Sequence, residues 1–187
     1  AFPGAQGVKR SPRDDRVRLI MNHGRVRELR SVVTELLTSA RKSILLEQCY
    51  CSDSQIIDLL ISRSHDGVRI TIIIPERPDL HYHANMQAMG RLLVGSSPAS
   101  VQVLLYPGIV HGKVVLVDRT HVLLGSANLM ASSLDETGEV CVLLAGGSRR
   151  ALWKLRETLR KDILKSRPLV SPPQLMWLGR WLAWIGL

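Results

Sequence analysis

Aromatic residues are few in this chain of 187 residues: one Phe, three Tyr and four Trp, with three of the Trp in the last eleven positions. The 45% of apolar residues still allows a core. Cysteine is scarce too. Cys49, Cys51 and Cys141 make no disulfide framework; Cys49 and Cys51, two apart, would share one strand face as buried thiols. Long apolar runs are missing. None comes near the roughly eighteen residues that mark a membrane-spanning helix, and no signal-peptide pattern opens the chain. The first residue is Ala rather than Met, which points to processing or to a piece of a longer protein. A metal-ligand set is missing as well. His81 and His83 flank Tyr82 with no cluster of cysteines or carboxylates beside them, so no metal and no cofactor is expected. The length fits one domain, or one domain with tails.

Charge is unevenly spread within a formal net of +9. Residues 1–30 carry eight Lys/Arg against three acids, and residues 148–187 carry nine against two. Residues 31–147 carry eight against eleven. A slightly acidic middle with two basic ends suits anionic lipid headgroups or nucleic acid; the plainer alternative is a solvated surface and tail.

The middle alternates helix and strand signals. Val32, Val33, Leu36, Leu37 and Ala40 give a helical period over Arg30 to Ser43. Ile44 to Tyr50 reads as a buried strand, and Ser52-Asp53-Ser54 as a cap for a helix from Gln55 to Ser64. Val68 to Ile74 reads as a central strand, Tyr82 to Val94 as a helix, and Val101 to Tyr106 as a strand. After Gly146-Gly147, Ser148 caps a helix to Lys165 with Leu152, Leu155, Leu159 and Ile163 on one stripe. The expected class is α/β, a mixed β-sheet flanked by helices. Residues 1–30 are expected to be basic and flexible, although Val17 to Met21 has strand character. Residues 31–168 form the folded unit, and 169–187 a Pro-containing linker and tail.

The stretch from His111 to Glu139 carries the chemistry. His111 and Lys113 sit two apart at the front of the apolar run Val114–Val117, so on a strand they would share a face. Asp118 follows at an odd offset from His111, which suits a structural partner better than a catalytic one, with the turn at Arg119-Thr120. A second strand from His121 to Leu124 ends in Gly125-Ser126-Ala127-Asn128, where Ser126 and Asn128 share a face. Glu139 opens a third apolar run. These residue types permit phosphodiester transfer. Imidazole can attack phosphorus and form a phosphohistidine. Lysine holds the non-bridging oxygens, and Ser126 and Asn128 offer neutral donors as charge develops. Glu139 can fix the tautomer of a histidine.

His111-x-Lys113, Asp118 and Gly125-Ser126-x-Asn128, in this spacing, resemble the HKD motif of the phospholipase D superfamily. With the preceding IIIPERPD and LLYPGIVHGK segments, the order over about residues 31–168 is similar to the C-terminal half of bacterial cardiolipin synthases. The resemblance implies a phospholipase D-like half with His111, Lys113, Asp118, Ser126, Asn128 and Glu139 as its site residues. It also implies metal-free transfer of a phosphatidyl group, one histidine acting as nucleophile and a second as acid and base. The sequence departs from that family after Asn128. Where the synthases carry an aspartate, an arginine, a Ser-Phe pair and an asparagine two before the glutamate, this chain has Met130, Ser132, Ser133-Leu134 and Thr137.

The chain holds a single His-x-Lys, and the family's active site needs two. The second is expected from a homodimer or from an N-terminal half of a longer protein. The expected substrate is a phospholipid or other phosphodiester. The alternatives are a dimeric metal-independent nuclease, with nucleic acid as partner, and a non-catalytic scaffold. In the tail, Trp177, Trp181 and Trp184 fall at helical spacing. Fourteen residues are too short to span a bilayer, so a helix lying at an anionic membrane surface fits. A helix docked on the protein or at a dimer contact fits equally. The expected location is peripheral, on the cytoplasmic side of a membrane.

Overall fold

The computed structural model describes residues 17–77, 80–146 and 149–171. The expectations for the first sixteen residues, the Ser148 cap and the Trp-rich tail fall outside them. From the N-terminus come β1 (Val17–His23), β2 (Val26–Arg27), α1 (Leu29–Thr38), β3 (Ser43–Gln48), α2 (Ser54–His65), β4 (Arg69–Pro75), α3 (Tyr82–Gly95) and β5 (Val101–Tyr106). The hairpin β6 (Lys113–Val117) and β7 (His121–Gly125) follows. A π-helical turn (Ser132–Glu136) then leads to β8 (Glu139–Ala145), α4 (Arg149–Lys165) and β9 (Arg167–Pro168). The strands form one mixed sheet in the order β2-β1-β8-β7-β6-β3-β4-β5-β9. β3, β4 and β5 are parallel, with α2 and α3 as crossovers, and the other pairings are antiparallel. This is the expected α/β mixed sheet flanked by helices.

Strand parity decides which layer each side chain enters. Ile44, Leu46, Ile70, Ile72, Val115 and Val117 join the large core beneath α1, α2 and α3. Leu45, Val114, Leu116 and Val122 face the other way, against Leu152, Leu155 and Leu159 of α4. The fourth residue of that helical stripe, Ile163, packs with Ile73, Leu104 and Val110. Each fully buried Ile or Leu stabilises the fold by about 1.5–3 kcal/mol, and the scarcity of aromatics leaves this core almost wholly aliphatic.

Polar side chains tie the layers at chosen points. Asp53 caps α2 by accepting the Ile56 N–H at 3.0 Å. Its carboxylate also pairs with Arg30 of α1 at 2.7 Å, and the same guanidinium pairs with Asp135 of the π-helical turn at 2.6 Å. Bonds to Asp135 and Asp53 raise the Arg30 pKa further above its already high range. One arginine thus clamps three elements.

The structure corrects the sequence reading in several places. Residues 1–30 are not uniformly loose: β1 pairs with β8 from Val17↔Leu144 to Asn22↔Glu139. The reason is the alternation in VRLIMNH, which turns Ile20 and Asn22 inward, both fully buried. Asn22 accepts the N–H groups of Glu28 and Leu29 at 3.0 and 3.2 Å, and donates to the carbonyls of Ser133 and Leu134 at 3.3 and 2.8 Å. Helix α1 stops at Thr38 rather than Ser43, because the N–H groups of Arg41, Lys42 and Ser43 are all held by the Asp118 carboxylate. The β6–β7 turn is centred one residue earlier than expected. Asp118 and Arg119 take φ of 49° and 63°, and the Thr120 N–H reaches the Val117 carbonyl at 3.1 Å. Cys49 and Cys51 are buried thiols outside any disulfide, but they lie just past β3 rather than on it. Burial pushes the Cys51 thiol up to about 12.

Candidate active site

The central strands β3, β6 and β8 bring polar side chains together at one end of the sheet. Lys113 opens β6 opposite Gln48 of β3. It is 8% exposed, and its ammonium donates to the His111 carbonyl at 3.0 Å. Burial pushes Lys113 below its ordinary range, while nearby Cys49 and Glu139 act against that shift.

His111 itself lies outside the strand. β6 begins at Lys113, so His111 sits in the loop before it, exposed, and does not share a sheet face with Lys113 by strand parity. Gly112 is what allows this path: a Cβ there would collide with the Glu47 carboxylate of β3. Among the described residues the His111 ring makes no hydrogen bond. Its expected link to Glu139 is not formed, because that carboxylate is engaged elsewhere.

Glu139 is buried at the start of β8. One oxygen accepts from the Ser126 hydroxyl and the other from the Thr137 hydroxyl at 3.0 Å. The Ser126 oxygen in turn accepts the Val140 N–H at 3.0 Å. Gly125 makes this approach possible, since a Cβ there would run into the backbone of Val140 and Cys141. Asn128 follows in the same segment, and its Oδ1 is buried with no hydrogen-bond partner among the described residues. Ser126, Thr137 and Glu139 therefore form one hydrogen-bonded group; the Lys113 ammonium feels the Glu139 charge and bonds the His111 carbonyl.

Asp118 does not belong to that group. It follows Val117, the far end of β6, and serves the backbone of residues 41–43. Burial works to raise its pKa, but those three N–H bonds outweigh it and hold the carboxylate below the usual range. His81 begins α3 with φ of 55°, its ring edge-on to Tyr50 at 4.8 Å. Among the described residues no group of three or more His, Cys, Asp or Glu is arranged to hold a metal ion.

Three contributors escaped the sequence reading. Gln48 is buried opposite Lys113, with its Oε1 lacking a hydrogen-bond partner among the described residues. Thr137, noted only as a departure, donates to Glu139. Glu47 lies beneath Gly112 on the α4 side, and burial together with nearby Asp162 raises its pKa to about 7. The available signal was the ending of SILLEQ, where an apolar strand closes on two polar residues.

Residues 33–162 match the family described as the cardiolipin synthase, PLD-like domain. The chain belongs to that family. As a PLD-like domain it is 28% identical over 144 residues to the major cardiolipin synthase ClsA of Bacillus subtilis, across 75% of this chain and 29% of that protein. It is 34% identical over 112 residues to cardiolipin synthase A of Pseudomonas aeruginosa, across 58% of this chain and 22% of that one. The chain thus spans less than a third of the length of these curated relatives. Among solved structures, the phospholipase D family member Nuc of Salmonella typhimurium superposes with a TM-score of 0.71 at 21% identity, over 83% of this chain and 98% of that chain. The phosphatidylserine synthase of Haemophilus influenzae gives 0.72 at 16%, over 90% of this chain and 44% of that chain. At such identities the likeness is one of fold. Within this PLD-like domain the Thr137 hydroxyl supplies a donor to Glu139.

Proposed function

We propose that this chain is one half of a phosphodiester transferase acting on phospholipid, in the manner of a cardiolipin synthase. The observation that carries the reading is a buried Lys113 that bonds the His111 backbone and feels the charge of Glu139, itself bonded to Ser126, beside an exposed His111 ring, within a domain related to cardiolipin synthases. The His111 ring nitrogen attacks phosphorus, and the bond from phosphorus to the leaving alcohol breaks. A histidine from a second half-site gives that alkoxide its proton. An acceptor alcohol, or water, then attacks the phosphohistidine and loses its proton to the second histidine as the P–N bond breaks. Lys113 holds the non-bridging oxygens, and the Ser126 hydroxyl and the Asn128 amide assist. Glu139 is a positioning residue that fixes Ser126, and it reaches His111 only if the loop closes on substrate. The second half-site comes from another copy or from a longer polypeptide.

A second reading, metal-independent cleavage of nucleic acid, is favoured by two observations. Nuc matches this chain over almost its whole length, and both ends of this chain are basic. A DNA-binding archaeal chromatin protein, TrmBL2, shares the fold at a TM-score of 0.59.

The deciding experiment incubates the full chain with phosphatidylglycerol vesicles and with single-stranded DNA, in chelator, beside His111→Ala. Lipid turnover is expected to persist in chelator and to fall by on the order of 10³ in His111→Ala. Cleavage of DNA without lipid turnover would move the assignment to the nuclease. Normal activity in folded His111→Ala would remove the histidine mechanism. Vesicle flotation of the chain with and without residues 174–187 tests whether the Trp-rich tail holds it to the membrane; unchanged flotation would dismiss the anchor.

A further inference from the structure

A second cationic feature lies far from His111. Where α4 crosses the starts of β3, β4 and β5, it leaves a cleft of about 470 Å³. Its size is that of an ordinary ligand pocket. Arg69 of β4, Arg119 of the β6–β7 turn, and Arg156 and Arg160 of α4 surround it. Glu157 is the one acid in its lining, 3.8 Å from Arg160. Among the described residues Arg69, Arg119 and Arg156 form no ion pair, so the cleft carries three uncompensated guanidinium groups.

The cleft is separate from the candidate active site in two ways. Leu116, on its floor, points to the sheet face opposite Lys113, as their odd spacing on β6 requires. It also lies at the opposite end of the strands: at about 3.3 Å per residue, Val117 is roughly 13 Å from Lys113. The floor is aliphatic, built from Leu45, Leu116, Leu159 and Ile163, with Ser43 and Thr71 as small polar neighbours. No aromatic side chain lines it, so it offers nothing for a nucleobase to stack on. Guanidinium forks match phosphate oxygens in pairs, and an aliphatic floor accepts a glycerol backbone or the head of an acyl chain.

We infer that this cleft is a second, non-catalytic site that binds the phosphate headgroup of an anionic phospholipid. The choice of lipid rests on the proposed function, while the presence of a phosphate site does not. A lipid held there would tether the chain through the back of its sheet and leave the His111 end free for turnover.

The test titrates dihexanoyl phosphatidylglycerol, kept below its micelle concentration, into the full chain by calorimetry. Lys113→Ala serves as background, because its catalytic end has lost its phosphate cation. Binding is expected to survive in that background and to weaken at least tenfold on adding Arg69→Gln, Arg156→Gln and Arg160→Gln. With Lys113 intact, the triple variant should turn over a soluble phosphodiester at the unaltered rate. Thr71→Phe, which fills the cleft without touching a charge, should weaken binding equally and guards against a general effect of charge. Dihexanoyl phosphatidylcholine should bind at least tenfold more weakly. Affinity unchanged by the arginine and Thr71 variants would overturn the site. Equal affinity for glycerol phosphate would overturn the lipid, and displacement by a single-stranded oligonucleotide at lower concentration would replace lipid with nucleic acid. An enzyme inactive on every phosphodiester but binding as described would sink the catalytic reading and leave the cleft standing.

Discussion

Asp118→Asn should cost stability and spare chemistry. The side chain holds three N–H groups at 2.8–2.9 Å and touches none of the polar group around Lys113. Losing the charge weakens three charge-assisted bonds, on the order of 1–3 kcal/mol. The folded pKa lies below the ordinary 3.8, so this contribution is present above that value and is lost as pH falls through the folded pKa. Denaturant curves from pH 3 to 7 should show the variant and wild type converging at the acid end. A variant that melts like wild type but is inactive would return Asp118 to the site. Glu47 runs the other way. Its pKa is raised to about 7 from an ordinary 4.5 by burial and by Asp162, so ionising it penalises the fold increasingly between those values and fully above them. Glu47→Gln should therefore stabilise the chain by about 1–3 kcal/mol at pH 8 and do little at pH 4.5. A difference that does not change with pH would refute this. The odd offset from His111 suggested a structural Asp118, but what sets it apart in the fold is its place past the far end of β6, in the turn. Nothing of the kind marked Glu47, whose state depends on a helix that returns more than a hundred residues later.

Runs of β-branched and aliphatic residues located β3, β4, β5, β6 and β8 to within a residue or two, and the capping signal at Asp53 located α2. What failed was the join between elements. His111 was read as the first residue of a strand because HGKVVLV is continuous in pattern. The backbone leaves the sheet at Gly112, where the Glu47 carboxylate fills the space that a side chain would need. The helix α1 terminus failed for a similar reason, since the carboxylate that holds the segment after it lies 75 positions beyond Ser43. Asn22 is the other join of this kind, linking β1 to the start of α1 and to the π-helical turn. Asn22→Ala should cost about 2–4 kcal/mol, because two buried N–H groups and two carbonyls lose their partners together. Hydrogen exchange should then rise at both Glu28–Leu29 and the turn. Loosening confined to one of them would show that the two are not coupled.

On the scale of the whole molecule, the sheet has a polar end around Lys113 and Glu139 and a cationic back, and the net charge is gathered toward the chain's ends. The family match begins at residue 33, yet the fold does not. Six residue pairs join β1 to β8, the strand that starts with Glu139. A fragment cut to the family's limits would leave β8 as a bare edge, its row of N–H and C=O groups open and Val140 already half exposed. Such a fragment should polymerise by strand addition, and light scattering of a 33–187 chain at rising concentration would reveal it; a monodisperse fragment with Glu139 still functional would not fit. The seven residues of β1, set in what looks like a charged leader, would then prove to be what keeps one molecule from becoming the template for the next.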